Sequence, residues 1–402
     1  PVRDRPARQG VERPADDPAD VIAPVLEENA ALARLAERAA RERRPDVVAL
    51  IAAATTRGVG HLLDETTLTL GAGTGSQSWA LDALPTIDTV PWASLHTIPI
   101  AAITGSNGKT TTVRLVAACA RANGWRDGFN CTDGVFIDRK PVAEGDYSGP
   151  AGTRLVLRNA SVEAAVIETA RGGILRRGLA ADRADVAIVT NISPDHFGEY
   201  GIDDLDGLAD VKLSITHLLD RNGLLVLNAD DALLCAKSGM LQQRLGWQPA
   251  LAWFARDYDH PALVQHRALQ GATSGVRAGR LWLSLGKDEH DLGAINDMPL
   301  TIEGTATYNV ENLAGAALVA AKLGVPPAPI AQVFSTFGRE LADNNGRLMR
   351  FDIGGVKIIV DYAHNTDGLR GVMRVAQQLR APGGRIGMLL GHAGNRLNAD
   401  IE

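Results

Sequence analysis

The chain has 402 residues, of which 45% are hydrophobic and 22% are charged, and its formal net charge is −6 at pH 7. This length predicts two to three domains with ample apolar surface for buried cores, and the acidic balance without a basic block argues against nucleic acid as the main partner. We expect no membrane partner and a cytoplasmic location, because no apolar run approaches the ~20 residues of a membrane span and the first residues lack a signal-peptide core.

Residues 1–95 are predicted to form an N-terminal arm followed by a small α/β region. Residues 1–20 are charged and rich in proline, which is typical of a flexible arm. Between Val21 and Arg44 apolar residues recur at helical spacing, so we expect an amphipathic helix that is compatible with a homodimer. The run Gly71-Ala-Gly-Thr-Gly75 follows a short predicted strand, Thr67–Leu70. We interpret it as a turn and not as a dinucleotide fingerprint, because no helical pattern or suitably spaced acidic residue follows it.

The stretch that organises the chain begins at Ile98 and contains the segment Gly105-Ser-Asn-Gly-Lys-Thr-Thr111. An apolar run enters a turn with two glycines and a helix-periodic segment follows, which predicts a strand, a phosphate-binding loop and a helix. The glycines let backbone N–H groups converge on one point, and the helix N-terminus adds unsatisfied donors and the positive end of its dipole. We expect a polyphosphate there, with Lys109 as the charge for its outer phosphates and the Thr110 hydroxyl as a ligand of the accompanying Mg2+.

The middle of the chain alternates predicted strands and helices, as a mostly parallel α/β sheet should. Polar side chains follow several of these strands: Glu168, the pair Asp195-His196 and the pair Asp230-Asp231. Because ligands gather at the carboxyl ends of the strands in open α/β sheets, we expect these side chains on the same rim as Lys109. Mg2+ prefers hard oxygen ligands, which favours Glu168 over the imidazole of His196 as a ligand.

Farther along, Arg280-Leu-Trp-Leu-Ser-Leu285 alternates as a strand does, and we expect Met298-Pro-Leu-Thr-Ile302 as its antiparallel partner at the edge of the sheet. Near the end, Val356–Val360 and Ile386–Leu390 are predicted as two strands of a further α/β domain. Such a domain usually needs on the order of 100 residues. The chain stops at Glu402, so this last domain is either truncated or degenerate, and of the two we expect truncation.

These motifs, in this order, resemble the Mur ligase family of ATP-dependent amide ligases, and within it the C-terminal, Mur-like part of cyanophycin synthetase. The segment 105–111 fits the family's G-x-N-G-K-T-[ST] loop, and the resemblance runs from about Ile98 to Arg396. The other segments that carry it are Thr132-Asp-Gly134, Gly145-Asp-Tyr-Ser-Gly-Pro150, Glu168-Thr-Ala-Arg-Gly-Gly-Ile-Leu-Arg-Arg-Gly-Leu179, Asp195-His196, Leu227-Asn-Ala-Asp-Asp231, Tyr308-Asn-Val-Glu-Asn-Leu-Ala-Gly-Ala-Ala317 and Asp361-Tyr-Ala-His-Asn365. The resemblance implies an α/β protein in three parts: the small N-terminal region 1–95, a central ATP-binding P-loop domain 96–345 with a mostly parallel sheet, and the start of a Rossmann-like C-terminal domain, 346–402.

The resemblance also implies roles for individual residues. The ATP phosphates would be bound by the loop residues Gly105, Asn107, Gly108, Lys109, Thr110 and Thr111. Thr110, Glu168 and His196 would serve Mg2+, and Lys212 lies where several family members carry a carbamylated lysine that binds a second Mg2+. By its pattern alone, Lys212 would be an ordinary solvated charge on a predicted helix. Asn309 or Asn312 would lie by the nucleotide, and Arg347 and Asp361 would contact it from the last domain. The implied catalytic residues are Lys109, Glu168, His196 and Lys212.

The activity that the resemblance implies is ADP-forming ligation of an amino acid to a peptide or amino-acid carboxylate through an acyl phosphate. Folylpolyglutamate-type, poly-γ-glutamate and peptidoglycan-precursor ligases share this core and remain alternatives. A non-catalytic nucleotide-binding regulatory protein is an alternative from another class, although Lys109, Glu168 and His196, whose loss would signal it, are all present. Cyanophycin synthetase carries an ATP-grasp domain ahead of its Mur-like part, and residues 1–95 cannot hold one with its partner domain. We therefore expect a free-standing ligase.

Overall fold

The computed structural model describes residues 28–194 and 197–391. The chain divides into two compact units, Pro1–Val48 and Ala49–Glu402. Helix α1 covers Glu28–Glu42 in the first unit, and helix α2, which begins at Pro45 and ends at Thr56, crosses the boundary into the second. The helix predicted over 21–44 is therefore present from residue 28, whereas the predicted arm at 1–20 lies outside the described residues.

The second unit begins with a small antiparallel sheet of three strands, β1 (His61–Leu63), β2 (Thr67–Leu70) and β3 (Gln77–Ala80). The glycine run that follows β2 is a tightly packed turn, as the sequence indicated. A Cβ on Gly71, whose φ is +78°, would lie 2.0 Å from the carbonyl oxygen of Gly75. A Cβ on Gly73, at φ +56°, would lie 2.2 Å from the carbonyl oxygen of Val162. Glycine is therefore needed here for packing and backbone conformation.

The main sheet has eleven strands: β4 (Ile100–Thr104), β5 (Asp127–Cys131), β6 (Gly134–Ile137), β7 (Lys140–Glu144), β8 (Ala164–Glu168), β9 (Ala184–Val189), β10 (Leu219–Asn228), β11 (Ala250–Asp257), β12 (Thr273–Arg277), β13 (Arg280–Leu285) and β14 (Asp288–Ala294). They lie in the order β14-β13-β12-β11-β10-β9-β4-β8-β5-β6-β7. The strands from β12 to β5 pair in parallel, and two antiparallel strands extend each edge. This confirms the predicted α/β fold with a mostly parallel sheet.

Helices cover both faces of the main sheet, which is why its inner strands are continuously apolar. The helices are α3 (Lys109–Ala122), α4 (Pro150–Leu157), α5 (Arg171–Arg177), α6 (Leu205–Leu213), α7 (Ala232–Ser238), α8 (Leu241–Leu245), α9 (Pro261–Ala268), α10 (Thr307–Leu323) and α11 (Pro327–Phe334). In β4, Ala101 and Ile103 pack into the core formed with α3, α10 and α11. Ile100 and Ala102 pack into the opposite core, which includes side chains from α4 and α6 to α9. The strand therefore holds the loop that follows it between two buried layers.

After the sheet, the strands β15 (Met349–Ile353) and β16 (Val356–Val360) form a hairpin, and helix α12 covers Thr366–Leu379. A small core of Ile302, Ala306, Leu348 and Val375 joins this part to the segment that precedes α10. The C-terminal elements are thereby packed beside the start of α10. In the part of the chain that the structure describes, no helix is both long and apolar enough to cross a membrane.

Two strand predictions were wrong. The antiparallel partners of β13 are β12 and β14, each joined to it by a short turn, and not 298–302. Pro299 begins a single 3-10 turn there and Ile302 has a φ of +51°, so this segment does not continue as a strand, and Met298 and Leu300 instead fill the core below it. The segment 386–390 has no regular secondary structure, and Leu389 is 99% exposed. A strand requires a neighbour for its backbone hydrogen bonds, and among the described residues none pairs with it.

Candidate nucleotide-binding site

The loop between β4 and α3 has a conformation that glycine alone tolerates at two positions. Gly105 has a φ of +145°, and a Cβ there would lie 1.9 Å from Oγ1 of Thr190. Gly108 has a φ of +84°, and a Cβ there would lie 2.2 Å from Oδ1 of Asn312. The loop is thus pressed between the end of β9 and the start of α10.

The loop is also tied to the segment after β9 by hydrogen bonds. The Ser106 N–H donates to the Asn191 carbonyl at 2.9 Å, and the Ser106 hydroxyl donates to the Ser193 carbonyl at 3.0 Å. The Ser193 N–H donates back to the Ser106 hydroxyl at 3.0 Å. At the start of α3, the N–H of Thr112 is bonded to the Gly108 carbonyl at 2.9 Å. The N–H groups before it in the first turn have no partner within the helix, which is the arrangement that binds phosphate.

Thr110 and Glu168 place a hydroxyl and a carboxyl side by side, both buried, next to this helix start. The Thr110 hydroxyl donates to Oε2 of Glu168 at 2.8 Å, and the Thr132 hydroxyl lies 3.4 Å from Oε1. Glu168 is fully buried at the end of β8. Burial raises the pKa of this carboxyl, while the charge of Lys109 and the Thr110 hydrogen bond act in the opposite direction. A buried carboxylate and a hydroxyl are hard ligands, and this donor set fits Mg2+.

The two predicted lysines lie on different sides of the loop. Nζ of Lys109 donates to the Ser106 carbonyl at 3.0 Å, and the side chain is half-buried at the cavity. Lys212 lies on α6, as predicted, but only 2% of it is exposed. Its Nζ donates to the Gly105 carbonyl at 2.8 Å, so it supports the loop from behind. The pattern-based expectation of a solvated lysine was wrong, because tertiary packing places the helix against the loop.

A cavity of about 740 Å3 opens above the loop. Its lining includes most of the predicted site residues: Asn107, Gly108, Lys109, Thr110, Thr111, Glu168, Asn309, Asn312, Arg347 and Asp361. Gly105 and Lys212 lie behind the lining. Asp195 and His196 lie outside the described residues, so the structure does not place the predicted histidine. Residues separated by more than 250 positions in the chain are thus brought around one volume.

The far wall of the cavity comes from the residues around the C-terminal hairpin. The Arg347 guanidinium lies 4.4 Å above the Tyr362 ring and 3.8 Å from the Asp133 carboxylate. Asp361 accepts hydrogen bonds from the N–H groups of Leu348 and Ala363, each at 2.7 Å. Burial raises the pKa of the Asp361 carboxyl, which these two bonds and Arg347 oppose. The carboxylate therefore holds the two ends of the hairpin together, next to Arg347 and Tyr362.

Asn309 and Asn312 are buried in the first turns of α10. The Asn309 amide donates to the Leu300 carbonyl at 2.9 Å, and the Asn312 amide donates to Oδ1 of Asn309 at 3.1 Å. Since Oδ1 of Asn312 also bounds the space above Gly108, the pair fixes the helix start against the loop.

The structure adds a charged cluster that the sequence analysis missed. Nε of Arg256 lies 3.3 Å from Glu311 and 3.4 Å from Asp230, and the Asn228 amide lies 3.4 Å from Glu311. All four residues line the cavity. Asp230 was expected at this rim, but Glu311 lies between the two asparagines of α10, and Arg256 lies one residue before the end of β11. The packing of α10 against the neighbouring strands β10 and β11 brings these residues together, so sequence spacing offered no signal.

We expect the buried carboxyl of Glu311 to make the stability of the protein depend on pH. Burial raises the pKa of this carboxyl from 4.5 to about 7, with Arg256 opposing the shift. The folded protein therefore holds this proton to higher pH than the unfolded chain, and its stability should fall as pH rises from about 4.5 to 7. We expect Glu311→Gln to raise Tm by about 3 °C at pH 8 and not at pH 4. Thermal unfolding of both proteins at the two pH values measures this, and an equal Tm difference at both would contradict it.

A phosphate-loop geometry at the carboxyl edge of a mostly parallel sheet defines a P-loop nucleotide-binding α/β protein. A family model described as "Mur ligase middle domain" matches residues 103–320. The chain belongs to the Mur ligase family, as its motifs predicted.

Two curated relatives illustrate the similarity. The chain is 35% identical over 320 residues to cyanophycin synthetase of Synechocystis sp., which covers 79% of this chain and 36% of the relative. It is 30% identical over 283 residues to UDP-N-acetylmuramoyl-L-alanyl-D-glutamate--2,6-diaminopimelate ligase of Xanthomonas campestris pv. campestris, covering 66% of this chain and 51% of the relative. The chain thus spans about a third of the length of the cyanophycin synthetases that it matches.

The fold also resembles solved structures of such ligases. A structure of UDP-N-acetylmuramoyl-L-alanyl-D-glutamate--2,6-diaminopimelate ligase matches with a TM-score of 0.51 at 21% identity, covering 71% of this chain and 54% of the other. At this identity the likeness supports the fold alone.

Proposed function

We propose that this protein is an ATP-dependent, ADP-forming ligase that joins an amino acid to a peptide or amino-acid carboxylate. The observation that carries the proposal is the phosphate loop with the buried Thr110–Glu168 pair at its helix start, 2.8 Å apart, inside a Mur ligase middle domain. ATP is the nucleotide expected for this family. The similarity to cyanophycin synthetases supports an amide-forming reaction with amino-acid substrates.

The side chains around the cavity match the groups that such a reaction needs for binding phosphates and metal ions. The first-turn N–H groups of α3 and the Lys109 ammonium would hold the nucleotide phosphates. Thr110 and Glu168 would hold Mg2+, and we propose His196 and Lys212 as further groups serving metal ions. A magnesium ion there would neutralise charge on the phosphates. Arg347, which faces the same cavity, would add positive charge from the C-terminal side.

The chemistry proceeds in two displacements. A carboxylate oxygen of the acceptor attacks the γ-phosphorus of ATP, the bond to the β,γ-bridging oxygen breaks, and an acyl phosphate and ADP form. The amine then attacks the acyl carbon, phosphate leaves, and the amine loses a proton as the amide forms. Positioning and charge neutralisation by the loop and Lys109 supply most of the catalysis in such phosphoryl transfers.

We further propose a role for each part of the chain. Residues 96–345 would form the ATP-binding domain, 346–402 the start of the C-terminal domain, and 1–95 a small N-terminal region. The acceptor carboxylate and the amino acid are the proposed partners. The cavity supports this scheme, because it is bounded by both the loop and the turn around Asp361.

The test is ADP release by the full chain with Mg-ATP across a matrix of substrates. Carboxylate acceptors (β-aspartyl peptides, glutamate, UDP-muramyl compounds and folates) are combined with amino acids that include arginine and lysine. ADP formation that requires both partners, with the amide identified by mass spectrometry, is the expected result. Nucleotide binding without turnover in every pair would favour the nucleotide-binding regulatory protein instead.

A further inference from the structure

Asn107, in the middle of the phosphate loop, has every polar group bonded within the protein. Its N–H donates to Oδ1 of Asn191 at 2.9 Å, and its carbonyl accepts from the Thr190 hydroxyl at 2.6 Å. Its side-chain amide donates to the Ser193 hydroxyl at 3.0 Å. Its side-chain oxygen accepts from the amide of Asn365 at 2.8 Å. The Asn107 side chain therefore acts as a junction between the loop and two other segments.

The side-chain amide of Asn365 makes two hydrogen bonds, one through its oxygen and one through its nitrogen. Its Oδ1 caps α12 by accepting from the N–H of Gly368 at 2.9 Å, and its Nδ2 makes the bond to Asn107. Only 2% of Asn365 is exposed. A buried polar group that loses its hydrogen-bond partner is left unpaired and away from water, which destabilises the folded protein. The helix start and the loop are therefore joined by a bond that is costly to break.

We propose that Asn365 is a positioning residue for the nucleotide site and acts on the loop through Asn107. The proposal rests on the proposed nucleotide binding of this loop and gives a role to Asn365, the last residue of the family segment Asp361–Asn365, of which only Asp361 was expected at the site. Asn107 lies next to Gly108 and Lys109, so fixing its side chain fixes the backbone that presents the phosphate-binding N–H groups. A loop ordered before binding loses less conformational freedom when the ligand arrives, which strengthens affinity.

The variant that isolates this bond is Asn365→Ser. Serine is as good an N-cap as asparagine but too short to reach Asn107, so the cap of α12 is retained and the bond is lost. We expect a Kd for a non-hydrolysable ATP analogue about tenfold weaker, together with a Tm lowered by a few degrees because Oδ1 of Asn107 loses its hydrogen-bond partner. Thr366→Ser, at the exposed first residue of the same helix, is the matched control and should bind like the parent protein.

A double-mutant cycle with Asn107→Ala tests whether Asn365 acts on nucleotide binding through Asn107. Once Asn107 lacks its side-chain oxygen, Asn365→Ser should weaken binding by less than a further twofold. Hydrogen exchange of residues 105–110 in the ligand-free proteins should be faster in Asn365→Ser than in the parent and in Thr366→Ser. This readout needs no turnover and is measured on the folded protein even where the variant is less stable.

Equal analogue affinity of Asn365→Ser and the parent, unchanged exchange of the loop, or independent effects of the two substitutions would each overturn the proposal. Failure of the proposed function is distinguishable from this. A parent protein that binds the analogue but forms no ADP with any substrate pair contradicts the ligase assignment and leaves the positioning role of Asn365 intact.

Discussion

Replacing Lys109 by alanine is expected to lower ADP formation by about a thousandfold. The side chain provides the loop's positive charge at the cavity, and its Nζ lies 3.0 Å from the Ser106 carbonyl. In the proposed reaction, its loss would remove charge stabilisation of the transferred phosphoryl group. Because the charge of Lys109 also holds down the pKa of Glu168, the substitution would raise that pKa further and weaken the carboxylate as a metal ligand. Coupled ADP release under saturating substrates measures the effect.

Lys322→Ala is the matched control for this experiment. Lys322 lies in the last turn of α10 and its Nζ donates to the Asn222 carbonyl at 2.7 Å. It does not line the described cavity, so turnover should stay within about twofold of the parent, as for most surface substitutions. Full ADP formation by Lys109→Ala would show that the phosphate site has been assigned to the wrong loop.

Glu168→Gln is expected to lower ADP formation by about a hundredfold without loss of stability. The amide oxygen of glutamine can still accept the Thr110 hydrogen bond, but the negative charge for a divalent cation is gone. Because burial disfavours the carboxylate, the neutral amide should leave Tm unchanged or higher at pH 8. The concentration of Mg2+ needed for half-maximal protection of Tm, measured with an ATP analogue, should rise in the variant.

Glu163→Gln serves as its control at the opposite end of the same strand. Glu163 precedes β8, and its Oε2 accepts from the N–H of Arg126 at 2.7 Å, a bond that glutamine retains. We expect its activity and Mg2+ requirement to match those of the parent. A Glu168→Gln protein with the parent's Mg2+ requirement would remove Glu168 from the proposed metal site.

Several parts of the site could be predicted because their signals are local. A strand, a loop with two glycines, Lys109 and a helix occur within some twenty residues, and each piece constrains the next. Glu168 could be expected at the same rim because parallel strands end at one edge of the sheet. The structure brings it to 2.8 Å from Thr110, which no spacing rule could have specified.

Other features depend on packing between distant segments. The local sequence predicts Lys212 as a surface lysine on a helix. In the structure, the packing of α6 against the loop buries it beneath Gly105. The cluster of Arg256 and Glu311 exists because β10, β11 and α10 are neighbours in space. The strand expected at 298–302 failed because Pro299 and the buried Met298 and Leu300 suit a turn over the core better than an edge strand.

The sequence by itself determined the class of fold, the phosphate loop and the family, because alternating apolar patterns and glycine positions are properties of contiguous residues. The tertiary structure decided which side chains surround the loop and what holds it, including the bond from Asn365 across 258 positions to Asn107. Such contacts arise from strand order and helix packing. They depend on the whole chain being folded, and no short stretch of it encodes them.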